Sequence, residues 1–552
     1  MEIKETKWIF QVGDPVQNFL EKNGLGDFED CEKYLNFKED QLRTSYKDLD
    51  KVVDAIVQAI KNDKHILVYG DYDCDGITAT SIIILALRNI GVDANYFIND
   101  RFKEGYGMNS KGINRLLGQY PETNFIITCD NGIAAKEGIE LALSKGIEVV
   151  CTDHHLQKDD IIVPTVDEWR LDESEELREQ CCGAEIARRV MLALYKKLDM
   201  GTDYIHELIA LSGISTVCDV VKFTAANRYI VKECLKLLNQ PKQSIKVIQL
   251  IKEILELDEI DEDTLGFKIG PMMNAMSRVN GSPNEMVEIL TTKTNSMEAY
   301  NMIIEAANIN EERKALTEED FNLAKDEINE EDACIVLAGE YHPGIAGLVA
   351  SHVVENYNRP CICLCKNGDL LKGSARTYDS FHLKNALDQC QDLLVSYGGH
   401  AGAAGLALKE ENLPAFKERM NKIVKESGIL EKVPEVLIDY VCSASNLFDE
   451  NITRFMELGP FGEGFEKPKI VYSGRLYGIR YLPMGDEPKH VAFNLVEAGE
   501  SVQTIWFNAA ERFNRLSLCE GDDILVMGYP TISKWNDKYS RKLFVDDIKS
   551  AL

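Results

Sequence analysis

Short apolar runs alternate with helical stretches in the first part of the chain. Apolar runs at 66–68, 92–98, 124–129 and 147–152 predict buried strands, and apolar spacing at 48–61, 77–87, 109–117 and 134–144 predicts helices between them. Buried strands that alternate with helices are typical of a parallel sheet covered on both faces. The pattern therefore predicts a doubly wound α/β domain.

The pattern changes twice further along the chain. A charged helical connector is followed by a strand at 333–338, a helix at 348–355 and an alternating cysteine strand at 361–365, which predict a second α/β domain. Short strands at 470–473, 491–496, 502–507, 523–527 and 542–545 then predict an OB-type β-barrel. The predicted domain ranges are an N-terminal segment without a clear motif at 1–45, the first α/β domain at 46–235, the connector at 236–330, the second α/β domain at 331–432 and the barrel at 433–552.

Composition narrows the class of protein. The chain has 552 residues and a net charge of −30, which argues against a protein that coats nucleic acid through its overall charge. A phosphate-binding site in such a protein needs individually placed arginines or bound metals to supply positive charge. No apolar run is long enough to span a membrane and the N-terminus lacks a signal-peptide pattern, so we expect a cytoplasmic protein with no membrane partner. The 15 scattered cysteines indicate reduced core residues.

Three carboxylates follow the first predicted strand. Asp71, Asp73 and Asp75 stand at alternate positions, and alternate residues of an extended strand end point the same way. Carboxylates this close repel one another unless a cation lies among them. The alternative is a polar turn with a helix N-cap, for which one Asp is common but three in five residues are not.

Other strand ends add to this set. Asp130 follows the third predicted strand, and Asp153, His154 and His155 follow the fourth. Taken alone, Asp130 in the sequence Asp-Asn-Gly is typical of a turn, and a single histidine after a strand is more often a structural residue than a metal ligand. Together, however, they meet at one edge of the sheet, where open α/β sheets bind ligands. Asp and His ligands favour Mn²⁺ or a related divalent ion over Ca²⁺, and two ions bridged by a carboxylate suit phosphodiester hydrolysis.

The motifs carry a family resemblance that spans roughly 46–552. Segments 70–76, 130–132 and 153–155 resemble the successive motifs of the DHH phosphoesterase superfamily, and the loop 100–107 resembles its RecJ branch of 5′→3′ single-strand DNA exonucleases. Segments 182–184, 215–221 and 270–278 agree with that branch, and the glycine-rich segment 397–405, together with 372–376, resembles the DHH-associated domain of the superfamily. The Asn-Pro pair that often follows the histidines is missing at 163–169, which puts the conformation of this loop in question.

The resemblance implies a role for each residue. It implies two divalent cations, Mn²⁺ or alternatively Mg²⁺, held by Asp73, Asp75, Asp130, His154 and Asp219, with Asp130 and Asp219 as bridging ligands. Asp71 and Asp153 are expected as supporting carboxylates. His155, Arg101 and Arg278 are expected near the scissile phosphate. The 5′ phosphate is expected to contact Ser374, Arg376, Gly399 and His400. Without the resemblance, a surface salt bridge would explain Arg278, and close packing would explain the glycine-rich loop.

The resemblance thus predicts a metal-dependent exonuclease that hydrolyses single-stranded DNA 5′→3′ to mononucleotides in DNA repair and recombination. It implies a helicase and a single-strand-binding protein as partners and a monomeric state. Barrel residues that could contact DNA or lie in the core are Arg480, Lys489, His490, Trp506, Phe507, Trp535 and Tyr539. The alternatives are a DHH phosphodiesterase acting on oligoribonucleotides or signalling dinucleotides, and a non-catalytic DNA-binding scaffold. A pyrophosphatase would leave the last third of the chain unexplained.

Overall fold

The computed structural model describes residues 6–157, 160–240, 245, 247–292, 296–378, 380–484, 487–535 and 538–551. Contacts divide the chain into two units. The first contains Arg43–Val221 and Ile230–Val433, and the second contains Glu5–Leu42, Lys222–Tyr229 and Pro434–Leu552. The domain boundaries given above stay predictions.

A five-stranded parallel sheet begins the first unit. Its strands lie side by side in the order Asn95–Ile98, Ile66–Gly70, Phe125–Cys129, Glu148–Thr152, Thr165–Val166. The accompanying helices are Leu49–Lys61, Cys74–Asn89, Ser110–Gln119, Lys136–Ser144, Gly183–Lys197, Asp203–Glu207 and Ile209–Cys218. The strand Ile66–Gly70 is buried along its whole length, as expected for a parallel sheet with both faces covered.

The helical connector leads from this sheet to the second sheet. After the helix Ala225–Leu238, its helices are Ile248–Ile254, Glu262–Thr264, Gly270–Val279, Asn284–Thr291 and Met297–Glu327, and a π-helical turn covers Leu265–Ile269. The last helix has 31 residues and packs against both Gly270–Val279 and the first helix of the following domain. The helix Asn284–Thr291 packs against Cys74–Asn89 of the first sheet's helices. The connector therefore contacts both parts of the unit that it joins.

The second sheet is mixed rather than wholly parallel. Its strands follow the spatial order Leu394–Gly399, Ala403–Lys409, Leu370–Arg376, Cys361–Asn367, Ile335–Gly339, and only the last two are parallel. Helices Ala346–Tyr357, Leu383–Asp388 and Leu413–Ser427 pack around it. Cys361, Cys363 and Cys365 lie in one core cluster, whereas Ile362 and Leu364 lie in the other, so the predicted alternation of this strand is observed.

The second unit contains a closed barrel. Five strands form a ring in the order Ile470–Met484, Glu487–Glu497, Glu500–Trp506, Lys538–Ser550, Asp523–Trp535, and the last pairs again with the first. Further elements are the strands Lys7–Phe10, Glu435–Ile438 and Tyr440–Ser443 and the helices Pro15–Lys22, Phe28–Leu35, Glu450–Glu457 and Ala510–Arg515. The ring confirms the predicted OB-like barrel. In the described part of the chain, no helix combines the length and apolarity needed to cross a membrane.

The aromatic candidates of the barrel have different environments. Trp506 is buried, whereas Phe507 is 52% exposed. The Phe507 ring contacts His490 and Phe544, with centroid distances of 5.4 Å to each. Phe507 is thus available to a ligand and Trp506 is part of the core. The side chains of Trp535 and Tyr539 lie outside the described residues.

Candidate metal centre and phosphate-binding site

The turn after strand Ile66–Gly70 carries three predicted site residues. The following helix begins at Cys74 with Asp73 as its N-cap, and Asp73 Oδ1 accepts hydrogen bonds from the N–H groups of Asp75 and Gly76 at 3.1 and 3.2 Å. Asp75 therefore lies in the first helical turn. The predicted order of strand, turn and helix is observed, but the helix begins at Cys74 and not at Ile77. Asp75 is therefore helical, and the expectation that all three carboxylates alternate along an extended strand end was wrong.

The sharp turn nevertheless brings the carboxylates together with those of other strand ends. The ligand atoms of Asp71, Asp73 and Asp130 lie within 4.8 Å of one another, as do those of two further groups: Asp130, His154 and His155, and Asp75, His154 and Asp219. His154 Nε2 lies 3.2 Å from Asp130 Oδ1, 3.3 Å from Asp75 Oδ2 and 3.7 Å from Asp219 Oδ2. Because Asp130 and His154 are each shared by two groups, the three groups form one continuous cluster.

Asp130 has an unusual backbone conformation. Its φ of 57° lies in the left-handed region, which non-glycine residues occupy only where the surrounding structure holds them. A methyl group at Gly183 would lie 2.8 Å from Asp130 Cβ, so the glycine is needed for this close approach. Asp130 is one of the two residues that are shared by two ligand groups, and backbone strain of this kind concentrates at functional sites.

The carboxylate of Asp75 is held by the start of another helix. It accepts hydrogen bonds from the N–H groups of Gly183 and Ala184 at 2.6 and 2.7 Å and from Ser215 Oγ at 2.6 Å. The first N–H groups of the helix Gly183–Lys197 have no partner within it, and a carboxylate is a favourable partner for them. Sequence analysis singled out segments 182–184 and 215–221 but did not assign this contact.

Asp153 holds the backbone of His154 and the ring of His155. Its carboxylate accepts hydrogen bonds from the His154 N–H and from His155 Nδ1, both at 2.8 Å. Burial acts against a charged His155, but the hydrogen bond and charge of Asp153 outweigh it and raise the pKa of His155 to about 9. Burial lowers the pKa of His154 and so favours the neutral imidazole that a metal ligand requires.

The remaining carboxylates fit a cation. Burial, followed by the charges of neighbouring carboxylates, holds the pKa values of Asp71, Asp130 and Asp219 well above the usual range. Asp71 Oδ1 is buried and has no hydrogen-bond partner. Divalent cations would relieve both the repulsion and the unsatisfied oxygen, and Asp and His together supply the oxygen and nitrogen ligands that Mn²⁺ accepts.

Three guanidinium groups belong to the same unit. Arg101 lies over the Tyr72 ring at 5.0 Å, and Arg278 Nη1 donates to the backbone oxygen of Gly344 at 3.3 Å. Burial lowers the pKa of Arg278 to about 9, with further contributions from Arg101 and other arginines, and burial and Arg101 lower the pKa of Arg376. Within the described ranges none of the three forms an ion pair with a carboxylate, so a surface salt bridge does not explain Arg278. Clustered cations without carboxylate partners favour an anion.

The candidates for the 5′ phosphate lie at one corner of the mixed sheet. Ser374 and Arg376 are on the strand Leu370–Arg376, and Arg376 pairs with Ala403 of the next strand. Gly399 has φ 142°, and a methyl group there would lie 2.4 Å from the backbone oxygen of Ala403. The glycine is thus required by a tight hairpin turn, and that turn contains the exposed His400.

Comparison with known proteins identifies the family. Residues 65–214 match the model of the DHH family, N-terminal domain, residues 331–426 match the DHHA1 domain, and residues 438–547 match the RecJ OB domain. The single-stranded-DNA-specific exonuclease RecJ of Bacillus subtilis is 29% identical over 544 residues, which cover 96% of this chain and 67% of the relative. A crystal structure of Thermus thermophilus RecJ in complex with Mn²⁺ superposes with a TM-score of 0.80 at 25% identity and covers 99% of this chain and 80% of that one.

This chain is also similar to a crystal structure of exonuclease RecJ bound to manganese. The sequence identity is 31% and the TM-score is 0.59, and the match covers 70% of this chain and 96% of that one. This chain belongs to the RecJ family. RecJ membership confirms the resemblance found in the motifs and the predicted fold class.

Several supporting residues of this RecJ chain were missed in the sequence. Asn274 Oδ1 accepts from the Cys74 N–H at 2.8 Å, and Trp169 Nε1 donates to the backbone oxygen of His154 at 2.9 Å. The Asn131 amide donates to the backbone oxygens of Tyr69 and Cys129. Asn274 lies among methionines and alanine, but its partner Cys74 is 200 positions away, so no local pattern indicated this contact.

Proposed function

We propose that this chain is a metal-dependent exonuclease that hydrolyses single-stranded DNA from the 5′ end to mononucleotides. The observation that carries the proposal is the carboxylate–histidine cluster together with three guanidinium groups that lack carboxylate partners among the described residues. The printed names of the relatives, single-stranded-DNA-specific exonuclease RecJ, support the same substrate.

The cluster would hold two divalent cations. The proposed ligands are Asp73, Asp75, Asp130, His154 and Asp219, and Asp71 supports them. Related RecJ crystal structures contain Mn²⁺ or Mg²⁺, which supports either ion. When bound, such cations lower the pKa of water and stabilise negative charge on the phosphate.

The protein's own side chains would position the scissile phosphate. Asp153 fixes the orientation of His155, and the raised pKa of this histidine favours an imidazolium that can donate to a phosphate oxygen. Arg101 and Arg278 contribute planar donors suited to the other oxygens. His155 and Arg278 are held by hydrogen bonds to Asp153 and to the Gly344 backbone, and preorganised donors of this kind stabilise the charge of a transition state.

The polarity of the reaction would come from the mixed sheet. Ser374, Arg376 and the hairpin turn with Gly399 and His400 bind the terminal 5′ phosphate in this proposal, so cleavage counts from that end. The barrel would bind the strand, since OB-type barrels combine exposed aromatic side chains with local positive charge. Phe507 and Phe544 are exposed aromatic candidates.

A single-strand substrate implies further proteins. We infer that a helicase supplies unwound DNA and that a single-strand-binding protein shares the substrate, in the context of DNA repair and recombination. A monomeric state and a cytoplasmic location complete the proposal.

The alternative functions are less well supported. A phosphodiesterase for oligoribonucleotides or dinucleotides would share the metal cluster but has no need of the barrel. A non-catalytic scaffold would not need to retain every carboxylate and both histidines of the cluster.

The decisive experiment uses 5′- and 3′-labelled single strands with Mn²⁺. We expect mononucleotide release from the 5′ end by the wild-type protein and at least a 1000-fold slower reaction with Asp130→Asn, which removes the charge shared by two ligand groups. Asp93→Asn, at an exposed position before the strand Asn95–Ile98, is the matched control and should keep wild-type activity. Full activity of Asp130→Asn, or cleavage confined to dinucleotides, would contradict the proposal.

A further inference from the structure

The helix Gly270–Val279, here called the connector helix, contacts the metal-binding turn. Asn274 Oδ1 accepts a hydrogen bond from the backbone N–H of Cys74 at 2.8 Å. Cys74 is the first residue of its helix, so this N–H has no partner within the helix. Asp73 accepts from the next two N–H groups, and Asn274 therefore completes the cap. A residue of the connector thus holds the backbone N–H of Cys74, which lies between the ligand candidates Asp73 and Asp75.

The connector helix also packs against the segment that carries Asp219. A methyl group at Gly270 would lie 2.4 Å from Cys218 Sγ, which places the helix backbone directly against the residue before Asp219. Met273 Sδ lies 3.7 Å from Cys74 Sγ. Gly270 and Met273 are three residues apart and therefore lie on one face of the helix. That face contacts both chain segments that supply ligand candidates.

The other end of the connector helix fixes two arginines. The backbone oxygen of Gly281 accepts from the Arg101 N–H at 2.7 Å. A methyl group at Gly344 would lie 1.9 Å from the backbone oxygen of Arg278, and Arg278 Nη1 donates to the backbone oxygen of Gly344. The metal-binding turn and the phosphate-binding arginines thus have a common rigid support.

We propose that Asn274 is a positioning residue for the metal centre and holds Asp73 and Asp75 in the arrangement that binds divalent cations. The inference rests on the proposed metal-dependent function. Loss of the acceptor leaves the N–H of Cys74 unpaired in a partly buried place, which costs more than the hydrogen bond itself contributes. The first helical turn then relaxes, and the carboxylates on either side of it move. Residues that orient metal ligands typically change metal affinity 10- to 100-fold when replaced.

The test compares two variants of the full chain. Asn274→Leu has a similar size but no acceptor, whereas Asn274→Asp keeps the acceptor oxygen. Calorimetric titration with Mn²⁺ alone should show at least about tenfold weaker binding for Asn274→Leu and recovery of most of the affinity for Asn274→Asp. In cleavage assays at a fixed Mn²⁺ concentration, kcat should fall similarly for Asn274→Leu, while KM for single-stranded DNA stays within twofold. Asn301→Leu, at an exposed position of the helix Met297–Glu327, is the matched control and should match the wild type.

Wild-type Mn²⁺ affinity in a folded Asn274→Leu variant would overturn the inference, as would equal losses in Asn274→Leu and Asn274→Asp. Should Asn274→Leu fail to fold, Asn274→Ala is measured with the same two outcomes. If the wild-type protein binds Mn²⁺ but cleaves no DNA, the proposed function fails, and the comparison of Mn²⁺ affinities still decides the role of Asn274.

Discussion

At the scale of single residues, the candidate site combines charges that repel one another. Buried and half-buried carboxylates surround His154, and arginines without carboxylate partners in the described ranges surround Arg278. Each set alone is costly to bury, because desolvation and like charges both disfavour ionisation. A divalent cation for the first set and a phosphate for the second would stabilise both, so the two ligands are expected to favour each other's binding.

Arg376 gives a prediction at this scale. Replacement by Gln removes a charge-assisted hydrogen bond to a terminal phosphate, worth about 1.5–3 kcal/mol, and should raise KM for 5′-phosphorylated strands about 10- to 100-fold. KM for 5′-hydroxyl strands should change little, so the preference for a phosphate disappears. Steady-state assays on the two substrates check this. Lys372→Gln, which removes an exposed cation from the same strand, is the control. Equal losses on both substrates would rule out recognition of the end by Arg376.

At the scale of elements, the helix Gly183–Lys197 has a second task besides packing. Its first N–H groups hold Asp75, and its own start is fixed by a buried charge cluster. Glu185 accepts from Arg188 through both carboxylate oxygens at 2.7 Å each and from Arg189 Nε at 2.8 Å. Burial opposes the charge of Glu185, but the two arginines outweigh it and lower its pKa to about 2.

Removal of this charge should destabilise the first unit. Glu185→Gln leaves two buried arginines without their common partner, which typically costs about 3–5 kcal/mol. Because the folded-state pKa is lowered, the stabilisation is present at pH 7 and is lost as the pH falls from about 4.5 towards about 2. Urea midpoints of wild type and variant should therefore differ clearly at pH 7 and converge in acid. Glu122→Gln, at an exposed loop position, should have no such effect, and an unchanged midpoint of Glu185→Gln would contradict the prediction.

The sequence predicted elements well where burial alone determines them. Strands Phe125–Cys129 and Glu148–Thr152 each differ by one residue from the predicted bounds, since parallel strands buried on both faces have continuous apolar sequences. Burial did not predict the position of Asp75, because Asp occurs both in turns and in the first turn of helices. Lys7–Phe10 was missed because it has four residues and its partner strand lies more than 400 positions away. Asn274 was missed because hydrogen-bond partners across domains leave no local pattern.

At the scale of the whole molecule, metal binding should stabilise the folded state. A ligand that binds only the folded protein adds about 2.7 kcal/mol at a free concentration of 100 times Kd. The Tm of the first unit's transition should rise by several degrees with Mn²⁺ and return on chelation. The double variant Asp73→Asn/Asp130→Asn should show little shift, since two ligand charges are gone. Differential scanning calorimetry with and without Mn²⁺ measures this, and an equal shift in the double variant would indicate binding elsewhere.

The pairing of Lys7–Phe10 with Glu435–Ile438 has a consequence for the order of synthesis. Trp8 donates to Asp547 at 3.1 Å, so it leaves the ribosome 539 residues before its partner. Residues 43–221 and 230–433 of the first unit are synthesised before the strand Glu435–Ile438, and the strand Lys7–Phe10 has no partner strand until then. Trp8 packs against Ile438, Val471 and Met527. A barrel fragment that starts at residue 434 lacks Trp8 and would expose the apolar surface of these three residues. Supplying residues 5–42 on the same fragment, or as a separate peptide, should restore its solubility.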